Sequence, residues 1–163
     1  MFVLRILIAY YSKTGNTEAI SNLIEQALEA TCKVDKLKIE MLRDYSDFVP
    51  HFNPRIILDL VLSRKPRIRS LKDMSPYDLI CVGTPNWYGR TAPPIDTFIE
   101  EMTNVTGKKA LAFVSSGLGR ESYGDDLRKR LEKKGLIVVR ALSLVRREIS
   151  ETHLREIGRV CCS

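Results

Sequence analysis

With 163 residues, 44% hydrophobic and 28% charged, the chain reads as one soluble globular domain over 1–163, long enough to bury a full core. No apolar run approaches the ~18 residues of a membrane span, so a membrane protein is excluded. The net charge of +6 would attract nucleic acid, an acidic protein or a phosphorylated cofactor; nucleic acid is set aside, because no nucleic-acid motif is present and no aromatic residue interleaves with the basic clusters at Arg64–Lys72 and in the C-terminal third.

The apolar start, Phe2 to Tyr11, carries Arg5 within it and lacks a small-residue cleavage site. It therefore reads as a strand buried on both faces of a sheet rather than a signal peptide, and a cytoplasmic location is expected. Ser12-Lys13-Thr14-Gly15-Asn16-Thr17 follows directly and opens a helix with Ile20, Leu23, Ile24, Ala27 and Leu28 on one stripe. A strand that turns into a helix through hydroxyls and a glycine presents free backbone N–H groups and the positive end of the helix dipole to an anion. Val34 to Ile39 alternates apolar and charged residues, as an edge strand would.

Asn53-Pro54 reads as a cap followed by Pro in the first turn of a helix at about 54–63. That helix is apolar nearly all round, so a homodimer contact through residues 54–63 is expected. Tyr77 to Thr84 is the third strand, followed by Pro85-Asn86-Trp87-Tyr88-Gly89 and a helix opened by Pro93-Pro94, with Ile95, Phe98, Ile99 and Met102 inward. Lys109 to Val114 is the fourth strand. It runs into Ser115-Ser116-Gly117-Leu118-Gly119, then a charged helix to Lys134 that Gly135 ends. Leu136 to Val145 is the fifth strand, and Ser150 caps a last helix that buries Leu154 and Ile157.

Five strands alternating with helices specify a parallel sheet covered on both faces. The Ser/Thr-x-Thr-Gly-x-Thr pattern at 12–17, placed after the first strand, resembles the phosphate loop of the flavodoxin family. The segment from Tyr77 to Phe98 is similar to that family's flavin-wrapping strand and loop. The resemblance implies an α/β flavodoxin-like three-layer sandwich, a five-stranded parallel sheet of order 2-1-3-4-5, and FMN as cofactor. It further implies that Ser12, Lys13, Thr14, Gly15, Asn16 and Thr17 hold the FMN phosphate. Thr84, Pro85, Asn86, Trp87, Tyr88 and Gly89 would border the flavin ring, with Trp87 stacking first and Tyr88 second; the alternative for Trp87 is a hydrophobic plug under the loop. Ser115, Ser116, Gly117 and Gly119 would lie on its other side, although this loop lacks the acidic, aromatic character of many flavodoxins. The chain is also basic where that family is typically acidic, which favours acidic redox partner proteins.

Other chemistry finds no support. G-x-x-x-x-G-K-[ST] is absent, and Gly117-Leu-Gly119 follows the fourth strand rather than the first. His51 and His153 lie away from the expected ligand edge, leaving no Ser or Cys nucleophile with a base. The four cysteines, Cys32, Cys81, Cys161 and Cys162, lack zinc spacing. Cys81 reads as a core residue; redox sensing at the vicinal pair Cys161-Cys162 would need exposure and a lowered pKa, neither of which the sequence shows. Three functions remain in play: an FMN-dependent electron carrier, an NAD(P)H-dependent flavin or quinone reductase of the same fold, and a flavin-free binding module.

Overall fold

A computed structural model describes residues 3–45, 53–70 and 72–162; His51 lies outside them. In chain order the elements are β1 (Arg5–Tyr10), α1 (Asn16–Leu28), β2 (Lys33–Lys38), β3 (Glu40–Met41), α2 (Pro54–Val61), β4 (Ile68–Arg69) and β5 (Leu79–Trp87). β6 (Arg90–Thr91), α3 (Pro93–Glu101), β7 (Lys109–Ser115), α4 (Tyr123–Lys133), β8 (Ile137–Leu144) and α5 (Glu151–Cys161) follow. The parallel sheet has the order β2-β1-β5-β7-β8. Counting only the five long strands, this is the 2-1-3-4-5 flavodoxin-like order expected from the sequence.

Both faces are covered, which is why the central residues of β1, β5 and β7, Ile6–Ala9, Leu79–Val82 and Ala110–Val114, are apolar. On one side Ile20, Ile24 and Leu28 of α1 and Ile157 of α5 pack on Ile6, Ile8, Cys81 and Phe113. On the other, Ile56 and Leu60 of α2, Ile95 and Phe98 of α3, and Leu127 and Leu131 of α4 pack on Leu7, Ala9, Ile80 and Val82. Each such side chain, removed from water, contributes about 1.5–3 kcal/mol. Ile157 is buried as expected, whereas Leu154 is only half-buried.

The helix ends follow the sequence signals. Asn53 accepts a hydrogen bond from the Arg55 amide at 3.0 Å with Pro54 in the first turn, and the Ser150 hydroxyl accepts from the His153 amide. Two features have no counterpart in the sequence reading. Glu40–Met41 and Ile68–Arg69 form a small antiparallel pair, and β5 runs three residues past Thr84 into a hairpin with β6. Strands of two residues carry no period, so no pattern announces them. Asp59, within the apolar α2, is buried because the Tyr45 hydroxyl donates to its carboxylate at 3.0 Å.

Candidate functional site

The parallel register brings the carboxyl ends of β1, β5 and β7 level, with Tyr10 beside Gly83 and Pro85 beside Ser115. The loops leaving these ends enclose a cleft of about 770 Å³, within the size range of a cofactor site. It is lined by Lys13, Thr14, Asn16, Thr17, Pro85, Asn86, Trp87, Ser115, Ser116 and Gly117, together with Val145, Arg146 and Arg147. Three loops separated by up to a hundred residues therefore meet where the sequence expected them.

At the first loop, Gly15 sits at the N-cap of α1 with φ of 86°, a left-handed conformation that glycine adopts without strain. No side chain caps α1, so its first-turn amides point outward at the cleft, where they suit an anion. Ser12 closes the loop by accepting from the Gly15 amide at 3.1 Å. Thr17 is buried, and its hydroxyl meets that of Ser115 at 2.6 Å, joining the first loop to the third. Lys13 lines the cleft while its ammonium donates to the Asp44 carboxylate at 3.2 Å and to the Tyr45 carbonyl at 2.5 Å.

The second loop is a tight hairpin. Tyr88 and Gly89 both have positive φ, 53° and 77°, the signature of a two-residue turn whose twist matches its strands. Trp87 is 7% exposed. Its indole stands edge-on to the rings of Tyr11 and Tyr45, at centroid distances of 5.7 and 5.6 Å, so it is wedged into the core while still bordering the cleft. Burial, followed by the neighbouring Asp44 and Asp59 carboxylates respectively, raises both Tyr11 and Tyr45 far above the usual phenol range; each stays protonated and donates to its carboxylate. Tyr88, by contrast, is 57% exposed and does not line the cleft. Thr84 commits its hydroxyl to the hairpin base, accepting from the Ala92 amide at 2.9 Å and donating to the Pro85 carbonyl.

The side-chain oxygen of Asn86 is buried and has no hydrogen-bond partner among the described residues. An orphaned acceptor lining a cleft calls for a donor from a ligand, since leaving it unmade costs about 1–3 kcal/mol. In the third loop, Ser116 accepts from the Gly119 amide at 2.9 Å. Gly119 itself faces a neighbouring hollow with Ser122, Arg140 and His153 rather than the cleft. Arg146 and Arg147 belong to the basic C-terminal third, which the sequence did not connect with the cleft. They stand on a 3-10 turn (Arg146–Glu148) that follows β8 and brings both to the cleft rim. The signal available was their position just past the last strand, at the sheet's ligand edge.

The hairpin is braced from α4, where the Asp126 carboxylate accepts from the Thr91 amide and from Arg130, each at 2.9 Å. Burial works against ionised Asp126, but those bonds outweigh it and hold its pKa below the usual value. Asp96, 3.0 Å from the same Arg130, is pushed up to about 7 by burial, with Asp126 adding to the shift and Arg130 opposing it. A carboxyl raised in the folded state makes stability fall as pH rises, over the window from about 4 to 7. The stability difference between the wild type and Asp96→Asn should accordingly shift against the wild type by on the order of 2 kcal/mol between pH 5 and pH 8, read from urea unfolding at the two pH values.

A family model described as Flavodoxin matches residues 5–157. A Lactobacillus acidophilus NCFM flavoprotein, solved in complex with FMN, is 25% identical, aligns over 86% of this chain and 93% of its own, and superposes with a TM-score of 0.72. Two-electron reduced Megasphaera elsdenii flavodoxin is 25% identical over 95% and 96% of the two chains, with a TM-score of 0.63. Among curated proteins, an NAD(P)H dehydrogenase (quinone) of Rhodopseudomonas palustris is 26% identical over 146 residues, 83% of this chain and 69% of that protein. For a Bradyrhizobium relative of the same name the match spans 51% of its length, so the chain spans roughly half to two thirds of such relatives. Nearly the whole sequence matches the family model and the sheet has the expected order: the chain belongs to the flavodoxin family.

Proposed function

We propose that this protein binds FMN in the cleft at the carboxyl edge of the sheet and carries electrons between protein partners. The observation that carries the reading is the convergence of an uncapped helix N-terminus, a buried Thr17–Ser115 hydroxyl pair and an orphaned Asn86 acceptor in one cleft. The residues fit the cofactor: the α1 amides with Thr14, Asn16 and Thr17 hold a phosphate, while Asn86 receives an N–H or hydroxyl of the ligand. Pro85, Trp87 and Gly117 supply flat or small walls for a ring. Bound FMN supplies one- and two-electron chemistry. The chain's residues then bind, orient and exclude water; Arg146 and Arg147 add positive charge at the rim, favouring a reduced, anionic cofactor and an acidic partner.

A second reading, an NAD(P)H-dependent quinone reductase, draws on the names of the curated relatives and on Arg146 and Arg147, suited to a dinucleotide phosphate. The FMN-loaded protein, given NADPH and a benzoquinone acceptor, separates the two. An electron carrier consumes almost no NADPH, and sustained quinone-dependent turnover would establish the reductase. The apolar outer face of α2, where Ile57, Leu58, Val61 and Leu62 are exposed, supports a homodimer through residues 54–63. Sedimentation as a monomer at high concentration would remove it. Among the described residues no helix is long and apolar enough to cross a membrane.

A further inference from the structure

All four cysteines of the chain, spread from the end of α1 to the end of α5, converge beneath those two helices on the face of the sheet they cover. The vicinal pair does not act as a pair. Cys161, 2% exposed, points inward and is hydrogen-bonded with the fully buried Cys81 of β5. Cys162 turns the other way, onto Cys32 in the turn between α1 and β2, with the two sulfurs 2.6 Å apart. The Thr31 hydroxyl touches both, at 3.7 Å from Cys32 and 3.3 Å from Cys162. Cys32 is held on this spot by its amide, which donates to the Leu28 carbonyl at 2.9 Å. Two thiols so placed lie within small side-chain rotations of the ~2.05 Å disulfide bond. Among the described residues no three His, Cys, Asp or Glu side chains are arranged to hold a metal, so a zinc site does not account for the cluster.

We propose that Cys32 and Cys162 form a reversible intramolecular disulfide in response to peroxide, tying the end of α5 to the α1–β2 turn. Cys162 is the partly exposed member of the cluster, the other three being buried, so it meets the oxidant first. Its thiolate attacks one oxygen of hydrogen peroxide and the O–O bond breaks, giving sulfenic acid and a hydroxide that takes up the proton the thiol released and becomes water. The Cys32 sulfur then attacks the sulfenic sulfur; the S–O bond breaks and the hydroxide leaves as water with the Cys32 proton. In total two thiols lose two electrons and two protons, and one peroxide becomes two waters. Burial, followed by the bond to Cys162, raises Cys32 to about 11, which argues against Cys32 as the first attacker; its resolving role rests on the contact of the two sulfurs. The bond joins residues 130 positions apart, and restricting the unfolded chain over so long a loop stabilises the folded state.

The full-length protein, reduced and then treated with one equivalent of hydrogen peroxide, tests this. Denatured thiol counts should fall from four to two, and peptide mapping should link the Cys32 peptide to the C-terminal one, reversibly with dithiothreitol. The oxidised form should melt on the order of 5–15 °C above the reduced form. Cys162→Ser should lose both the link and the shift, while Cys161→Ala keeps them. An unchanged thiol count, a link surviving in Cys162→Ser, a Cys161–Cys162 bond, or a link between two chains would each overturn the proposal.

Discussion

Trp87→Ala should lower the unfolding free energy by about 3–5 kcal/mol, measured by chemical denaturation, and should also weaken FMN binding. The indole fills a pocket between Tyr11 and Tyr45 that no neighbour can close. Tyr11 is anchored through Asp44, and Tyr45 through Asp59 of α2. Two edge-to-face contacts are lost with it, each worth roughly 0.5–1.5 kcal/mol beyond area. Trp87 also borders the cleft, so the cavity opens a wall of the proposed site. Trp87→Phe retains a ring and should cost about 1–2 kcal/mol, with FMN affinity changed less than about tenfold. If Trp87→Ala left stability untouched, the wedge described here would be wrong.

The second large effect is expected within the sheet itself. Gly83→Ala should destabilise the protein by about 2–3 kcal/mol. Gly83 stands opposite Phe113 in the β5–β7 register, and a Cβ added there would run into the Phe113 ring. That ring is fully buried among Ile20, Leu111 and Leu142 and has nowhere to move. Phe113→Leu should recover part of the loss in the double variant, a coupling that a mutant cycle measures. Additive losses would show that the clash is relieved elsewhere. Gly83 also neighbours Tyr10 in β1, at the last step before the 12–17 loop, so the same ring–glycine fit positions β1 against β5 at the cleft.

The alternation of strands and helices could be read from the sequence, because four of the long strands are mostly apolar, β2 alternates, and helical stripes lie between them; their order came with the family resemblance carried by residues 12–17 and 77–98. The convergence of the 12–17, 84–87 and 115–117 loops follows from that order. What lay beyond reach was set by tertiary partners. The orientation of Lys13 depends on Asp44 and Tyr45, thirty residues away. Trp87 is a wedge because two tyrosines from other segments flank it, and the β5–β6 hairpin depends on Asp126 of α4 as much as on Gly89. Arg146 and Arg147 reach the cleft through a single 3-10 turn, too short to leave a period. The cysteine cluster is a packing outcome of α5 on α1, invisible in spacings of 130 residues.

The central claim, a phosphate-anchored flavin in the three-loop cleft, is tested most directly by titrating flavin-free protein with FMN and with riboflavin and following flavin fluorescence. The α1 amides and Thr17 act on the phosphate, and charge-assisted hydrogen bonds of that kind contribute about 1.5–3 kcal/mol each. FMN should therefore bind one to one with strong quenching, and riboflavin at least about 100-fold more weakly. Equal affinity for the two, or no quenching by FMN, would contradict the account.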